Sequence, residues 1–194
     1  MRGKLAQHGI VLILALVMLV VISLLTTLAV RNATSSEAVN SNVRQTQLAS
    51  QAAETALRYC EAALTTFLAA ETATFTFTSP PSSASFNIDA TYIHDVAVSG
   101  TATSAIAANW DSTTAANRIL VVPMSSVNRT GITTTFSRPP ECMIDRLSRS
   151  TSSNYWKTFA ITSRGFGPEV AAANAARDRP VGSEIWMQSS LEFN

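Results

Sequence analysis

The chain has 194 residues, a formal net charge of +1 and only 14% charged residues, so its charge gives no indication of a nucleic-acid partner. Its two cysteines, Cys60 and Cys142, are too few for a disulfide-rich scaffold or a cysteine zinc site, although they suffice for one bridge. Without the uncharged residues 10–30, the remainder is still long enough for one domain with its own core.

The first predicted element is an apolar segment that follows a short basic leader, MRGKLAQHG. Residues 10–30 contain no charged residue. As a helix they would be about 31 Å long, which matches the roughly 30 Å hydrocarbon core of a bilayer. Arg2 and Lys4 precede the segment, which predicts a cytoplasmic N-terminus and translocation of the remaining chain. The segment is long for a signal peptide and no persuasive small-x-small cleavage pattern follows it, so we expect it to be retained.

The helix is predicted to continue beyond the apolar segment. No glycine or proline lies between Gly9 and Pro80, so the sequence predicts one unbroken helix over residues 10–69. Beyond Arg31, apolar or small residues recur every three or four positions, namely Val39, Val43, Thr46, Ala49, Ala53, Ala56, Cys60, Ala63 and Phe67. This stripe predicts that the amphipathic half, residues 31–69, packs on a domain, while residues 10–30 form the transmembrane half.

After residue 69 the periodicity changes from 3.6 to 2, which is typical of strands with one buried face. Candidate strands are residues 73–79, 86–93, 118–123, 132–136, 156–165 and 184–193. We therefore predict an α+β fold, in which the amphipathic half of the helix packs against an antiparallel β-sheet formed within residues 70–194. Residues 97–117 and 168–182 are expected to be long loops.

No residue pattern predicts a catalytic or metal site, so we expect neither enzyme activity nor a cofactor. His94 is the one histidine outside the leader, and we expect it at the surface at a strand end. The stretch SRGFG at 163–167 is expected to be a turn, because it lacks a strand–glycine–helix context. The tryptophans are expected mainly in packing, and they are Trp110, Trp156 and Trp186. The aspartates lack calcium-loop spacing, and they are Asp89, Asp95, Asp111, Asp145 and Asp178. A calcium site built from a loop is the less favoured alternative.

The N-terminal pattern resembles that of type IV pilins. The basic leader ending in Gly9, the stretch HGIVLILALVMLVVISLL and the continuation LASQAAETALRYCEAAL are similar to PilX-type minor pilins. The stretches PPECMIDRL, FAITSRGFG and EIWMQSSLEF near the end of the chain resemble the same family. The resemblance covers roughly residues 5–68 and 139–193.

This resemblance implies processing of the N-terminus. A prepilin peptidase would cleave after Gly9, and Ile10 would become the N-methylated first residue of the mature chain. Most pilins begin with Phe or Met and carry Glu five residues into the mature chain, whereas here Ile10 and Leu14 occupy those positions. That Glu is usually thought to pair with the N-terminal amine of a neighbouring subunit. PilX-type pilins and the K pseudopilin of type II secretion also lack it and are associated with the tip, which implies a tip or initiation position for this chain.

The two cysteines are expected to form a disulfide. The predicted topology places Cys60 and Cys142 in the periplasm, where disulfides persist. A bridge would close a loop of about 83 residues and stabilise the domain by roughly 4–5 kcal/mol in the chain-entropy treatment, which is an upper figure. Two separately buried thiols are the alternative.

We therefore predict a minor pilin of a type IV pilus, a structural component that supports pilus biogenesis at the tip or in the initiation complex and contributes to adhesion. It would be anchored in the inner membrane with a periplasmic C-terminal domain, and would later be part of the extracellular pilus. The expected partners are major and other minor pilins, prepilin peptidase, inner-membrane lipid and the pilus assembly machinery, without nucleic acid. The alternatives are a pseudopilin of type II secretion and an uncleaved single-pass periplasmic binding module.

Overall fold

The structure is a computed structural model, and it describes residues 8–69, 75–80, 82–97, 99–114, 117–128, 135–147 and 157–193. The chain divides into two compact units, Met1–Val43 and Arg44–Asn194, and we call the second unit the head. The leader residues 1–7, the start of the strand predicted at 73–79, most of the strand predicted at 132–136, and Trp156 lie outside the described residues.

The first element is one unbroken helix, α1, which runs from His8 to Leu68 over 61 residues. The prediction of a continuous helix over residues 10–69 is therefore confirmed, with ends that differ by one or two residues. No proline follows Gly9 within the helix, so every backbone N–H beyond the first turn can donate to the carbonyl four residues earlier. The helix ends in a turn in which Ala69 N donates to Thr65 O at 3.0 Å.

Within the head, α1 packs on a sheet through small side chains. Those with no exposed surface are Ala49, Ala53, Ala56, Cys60, Ala63 and Leu64. The predicted stripe also contained Val39, Val43 and Thr46, and for these residues the packing prediction is wrong because all three are exposed. Periodicity identifies the apolar face of a helix, but it does not identify how much of that face another element covers.

The described part of the chain contains seven strands. They are β1 (Thr76–Ser79), β2 (Ser82–Asn87), β3 (Ile93–Val96), β4 (Leu120–Val121), β5 (Glu141–Leu147), β6 (Lys157–Phe166) and β7 (Glu184–Phe193). Their order is β2-β1-β4-β5-β6-β7, with antiparallel neighbours throughout. The predicted α+β fold, a long helix packed against an antiparallel sheet, is confirmed. One feature differs from the prediction, because β3 pairs in parallel with the last four residues of β5.

The strand predicted at 86–93 is interrupted in the structure. Asp89 caps a 3-10 turn at Ala90–Tyr92, where its Oδ1 accepts a hydrogen bond from Thr91 N at 2.7 Å. The turn separates β2 from β3, so the two strands have different partners in the sheet. Of the alternating residues Phe86, Ile88 and Tyr92, Ile88 is buried and the other two are half-buried. The alternation did not distinguish a strand from a turn with the same apolar spacing.

The strand β6, next to the edge strand β7, is buried on both faces, since every residue from Phe159 to Phe166 is buried. The prediction of one buried face is wrong for this strand. One face contacts α1, and the other is covered by a segment that includes a 3-10 turn at Thr103–Ala105 and a short helix, α2, at Ala107–Trp110. Thr162 Oγ1 donates to Ser104 Oγ at 3.0 Å across this second interface. The stretch predicted as a loop at 97–117 therefore contributes to the core.

Candidate functional surfaces

The first part of α1 exposes apolar side chains in every direction. All residues from Val11 to Val30 are exposed, and the least exposed large side chain, Val21, retains 45% of its surface. The most apolar 18-residue window of the helix has a mean hydropathy of 3.0, so by length and composition the helix could cross a membrane. A helix that is apolar all round requires an apolar environment on every side. A lipid bilayer or a bundle of similar helices provides that environment.

The three hydroxyl side chains within this segment are compatible with an apolar environment. Ser23 Oγ donates to Leu19 O at 2.8 Å, and Thr27 Oγ1 donates to Ser23 O at 2.5 Å. Thr26 Oγ1 also donates to the carbonyl four residues earlier. Because each hydroxyl donates within the helix, none of the three leaves an unsatisfied donor in a lipid or protein interior.

The predicted processing residues lie at the start of the helix. Gly9 and Ile10 belong to the first turn of α1. Leu14 is 59% exposed, and residues 10–30 contain no carboxylate. Cleavage after Gly9 and methylation of Ile10 remain predictions.

A disulfide joins the helix to the sheet within the head. Cys60 of α1 is bonded to Cys142 of β5, 82 residues later, and neither residue has exposed surface. Cys142 lies opposite Leu120 of β4 and Ser163 of β6 in the sheet. The bond therefore fixes the helix to a strand in the interior of the sheet, so that α1 and the sheet cannot separate while it is intact.

A second close contact between helix and sheet lies at Gly165. A Cβ atom at this position would lie 2.7 Å from Ala53 Cα and nearer still to Ala53 N and Ala49 O. On the same face of β6, Ser163 Oγ donates to Ala53 O at 2.9 Å. The absence of a side chain at Gly165 thus allows the backbone of α1 to lie directly on β6.

The opposite face of the sheet holds a buried ionic network that the sequence did not predict. We call it the arginine cluster, and its members are Arg138, Arg164, Arg177, Asp111, Glu141 and Glu184. Arg164 bonds three carboxylates, with distances of 2.8 Å to Asp111, 2.8 Å to Glu141 and 3.3 Å to Glu184. Arg177 reaches the other oxygen of Glu141 at 2.8 Å. Three cations and three carboxylates balance, so the cluster has no net charge to attract an anionic ligand.

Aromatic rings enclose the centre of this cluster. The guanidinium carbon of Arg164 lies 5.0 Å from the centre of the Phe166 ring and 5.4 Å from the rings of Trp110 and Trp186. Burial by itself lowers the pKa of Arg164, but the charge of Glu141 and the hydrogen bonds that Arg164 donates to Asp111 and Glu141 raise the pKa above its ordinary value. For Arg138, burial is the dominant influence and lowers the pKa. The arrangement holds the segment around Arg177 against the sheet.

The expectation of a turn at residues 163–167 is wrong, because residues up to Phe166 belong to β6. Arg164 lies in a strand whose other face packs on α1, and its charge is matched by residues 23 and 53 positions away in the sequence. In the sequence Arg164 shares its face of the strand with Thr158, Ala160 and Thr162, so the alternation gave no signal of a buried ion pair. The identity of its partners could not be read from the sequence, since they are brought together only by the tertiary fold.

His94 is also placed differently from the prediction, because it is 8% exposed rather than at the surface. Its Nε2 lies 2.8 Å from Asn117 O. Burial lowers the pKa of His94, and this influence exceeds the opposite one of the Asn117 carbonyl and the nearby Asp145. Among the residues that the structure describes, no group of three or more His, Cys, Asp or Glu side chains is arranged to hold a metal ion.

Comparison with known proteins identifies the N-terminal part of the chain. Residues 8–58, which are 51 of the 194 residues, match the family described as PilX N-terminal. Comparisons with curated proteins and with solved structures gave no match. The matched region contains the exposed apolar segment and the beginning of the part of α1 that packs on the sheet, but it ends before Cys60. It supports the resemblance drawn from the helix.

Proposed function

We propose that the chain acts at the tip or in the initiation complex of a type IV pilus. There it supports pilus assembly and presents its head to other minor pilins and to surfaces. The match over residues 8–58 supports a PilX-type minor pilin, and the proposal builds on it. The observation that carries the proposal is α1, an unbroken helix whose first part is apolar on all sides and whose last part is covalently fixed to the head.

The proposed mechanism uses the apolar segment in two environments. In the inner membrane the segment anchors the chain, with the head in the periplasm, where the Cys60–Cys142 bond is maintained. After prepilin peptidase cleaves between Gly9 and Ile10, and Ile10 is methylated, the assembly machinery transfers the segment from lipid into a bundle of major and minor pilin helices. The segment exchanges lipid contacts for protein contacts, and the head becomes part of the extracellular pilus.

The processing step is tested on the mature N-terminus. We expect mass spectrometry of the protein from membranes and from sheared pili to identify a methylated Ile10 as the first residue. In Gly9→Val, cleavage should be blocked and residues 1–9 should be retained, whereas the leader substitution Gly3→Val serves as the matched control and should be processed. An intact Met1 in the mature wild-type protein would favour the uncleaved periplasmic binding module instead.

The tip position is supported by the residue at position 14. A carboxylate at this depth in an apolar bundle is costly unless it is paired, and Leu14 has no charge to pair with the N-terminal amine of a neighbour. We expect Leu14→Glu to increase the number of copies along the shaft, as measured by immunogold labelling. Leu16→Glu, two residues further along the helix and on a different face, is the control and should not do so. Labelling of wild-type protein along the whole shaft would contradict the tip position.

The physiological role is tested by deletion of the chain in its host. We expect fewer pili, reduced adhesion and reduced twitching, with recovery when the wild-type chain is restored. Normal pili combined with loss of protein export would identify the chain as a type II secretion pseudopilin. Unchanged piliation, adhesion and export would contradict both proposals.

A further inference from the structure

The last strand of the sheet, β7, lies at an edge. It pairs with β6 in continuous register over ten residues, from Glu184 opposite Phe166 to Phe193 opposite Lys157. Among the described residues, no strand pairs with its other side. In an antiparallel ladder, alternate residues direct their N–H and C=O groups to the two sides, so half of the backbone groups of β7 are directed away from β6.

This edge lacks the proline, the lysine and the bulge that normally prevent strand addition. Residues 184–193 include no proline, lysine or arginine, and their pairing with β6 has no register shift. The opposite edge of the sheet, β2, is different. It is six residues long, follows Pro80 and Pro81, and adjoins a register shift between Phe77 and Ser79 of β1. The contrast between the two edges indicates that β7 is the one open to another strand.

The side chains of β7 show that the core is incomplete at this edge. On the face directed to α1, Met187, Leu191 and Phe193 contact the core but remain only half-buried. Between them, Ser189 Oγ is buried and has no hydrogen-bond partner within the described residues. A further strand beside β7 would cover the apolar side chains.

We propose that β7 is the docking strand for an extended segment of a neighbouring pilin subunit, which adds to the sheet by antiparallel strand pairing. This inference rests on the proposed pilin function. The incoming strand would carry apolar residues opposite Met187 and Leu191. On the other face, a basic or hydroxyl residue would lie near Glu192, whereas Glu184 already pairs with Arg164 in the arginine cluster.

A second copy of this chain does not fit the same requirement. Antiparallel pairing of β7 with its own copy needs a two-fold axis normal to the sheet, and rotation about this axis reverses the direction of the part of α1 that packs on the sheet. Two chains anchored in one membrane through α1 enter their heads in the same direction. The occupant is therefore a different segment, with a strand direction opposite to that of β7.

The proposal can be tested by site-specific crosslinking of the full-length chain in piliated host cells. A photoreactive phenylalanine derivative would replace Gln188 or Ser190, which are exposed on β7, and in the matched control it would replace Ser83, which is exposed on β2. We expect Gln188 and Ser190, but not Ser83, to crosslink to another pilin. Mass spectrometry of the crosslinked peptides should locate the contact in a segment with alternating apolar residues.

A charge at the edge provides a second measurement. We expect Ser190→Lys to lower the yield of the crosslink from Gln188 roughly fivefold, since a lysine on an edge strand opposes strand addition. Ser83→Lys should not change it. Formation of the Cys60–Cys142 bond on a non-reducing gel would verify that each variant is folded.

The outcomes separate this proposal from the proposed function. If the chain is processed at Ile10 and present in pili but β7 yields no crosslink, strand docking is wrong and the pilin function stands. Crosslinks to a second copy of this chain, or equal yields from Ser83, would also overturn strand docking. If the chain is neither processed nor found in pili, the proposed function itself fails.

Discussion

Reduction of the Cys60–Cys142 disulfide is expected to lower the thermal stability of the head by an amount that follows from the length of the loop it closes. The bond connects residues 82 positions apart, and the chain-entropy treatment assigns such a loop about 4.5 kcal/mol of stabilisation of the folded state. For a unit of this size, each kcal/mol changes the unfolding midpoint by roughly 2–4 °C. We therefore expect reduction of the bond to lower the midpoint of the head by roughly 9–18 °C.

The measurement uses the full chain in detergent micelles and follows tryptophan fluorescence during heating. Trp110 is fully buried in the head and contacts Trp186 edge-on, so its emission reports on unfolding of the head rather than of the apolar segment. Reduced wild-type protein retains both sulfur atoms and isolates the crosslink. The double variant Cys60→Ala, Cys142→Ala also removes buried volume and should unfold at a still lower temperature. Equal midpoints for the oxidised and reduced wild-type proteins would refute the reasoning.

Three further substitutions test other parts of the structure. Val20→Arg places a charge near the centre of the apolar segment at a cost of about 2.5–3.5 kcal/mol. We therefore expect less protein to resist carbonate extraction from membranes. Ser41→Arg, beyond that segment, should not change extraction. Gly165→Ala introduces a Cβ against the backbone of α1 and should destabilise the head by about 1–3 kcal/mol in thermal unfolding, whereas the effect of Gly167→Ala should be smaller because its nearest neighbour is a flexible glutamate side chain. His94 has a pKa lowered by burial, so its contribution to stability is complete above the unfolded-state pKa of about 6.5 and declines as the pH falls below it. His94→Gln should therefore reduce the fall in the unfolding midpoint between pH 7.5 and pH 5.5. An unchanged fall would contradict the assignment.

The features predicted best from the sequence are those that depend on neighbouring residues. The continuity of α1 follows from the absence of glycine and proline after Gly9, and its apolar first part follows from composition alone. The long strands β6 and β7 could be placed from alternation over ten residues each. Short elements were harder, since β4 has only two residues and the apolar spacing at 86–93 includes a capped turn.

Features that depend on tertiary contacts could not be predicted in the same way. Alternation in β6 identified the face that packs on α1, but the second buried face exists only because the segment around Trp110 folds back over it. Asp145 contributes to this cover, since its carboxylate accepts hydrogen bonds from Thr103 N and Ser104 N at 3.1 Å each. The spacing of the aspartates in the sequence carries no information about such long-range partners.

The arginine cluster and the disulfide lie on opposite sides of the same strand and restrain different parts of the chain. Cys142 of β5 is bonded to α1, whereas its neighbour Glu141 is directed to the other face and pairs with Arg164 and Arg177. Successive residues of a strand point to opposite faces, so this one dipeptide connects both layers to the sheet. The consequence is that the helix and the covering segments are held to β5 independently. Loss of the disulfide should therefore loosen α1 while the cover around Trp110 remains attached. Neither restraint involves the outer edge of β7, which is the part of the sheet that we propose another subunit completes.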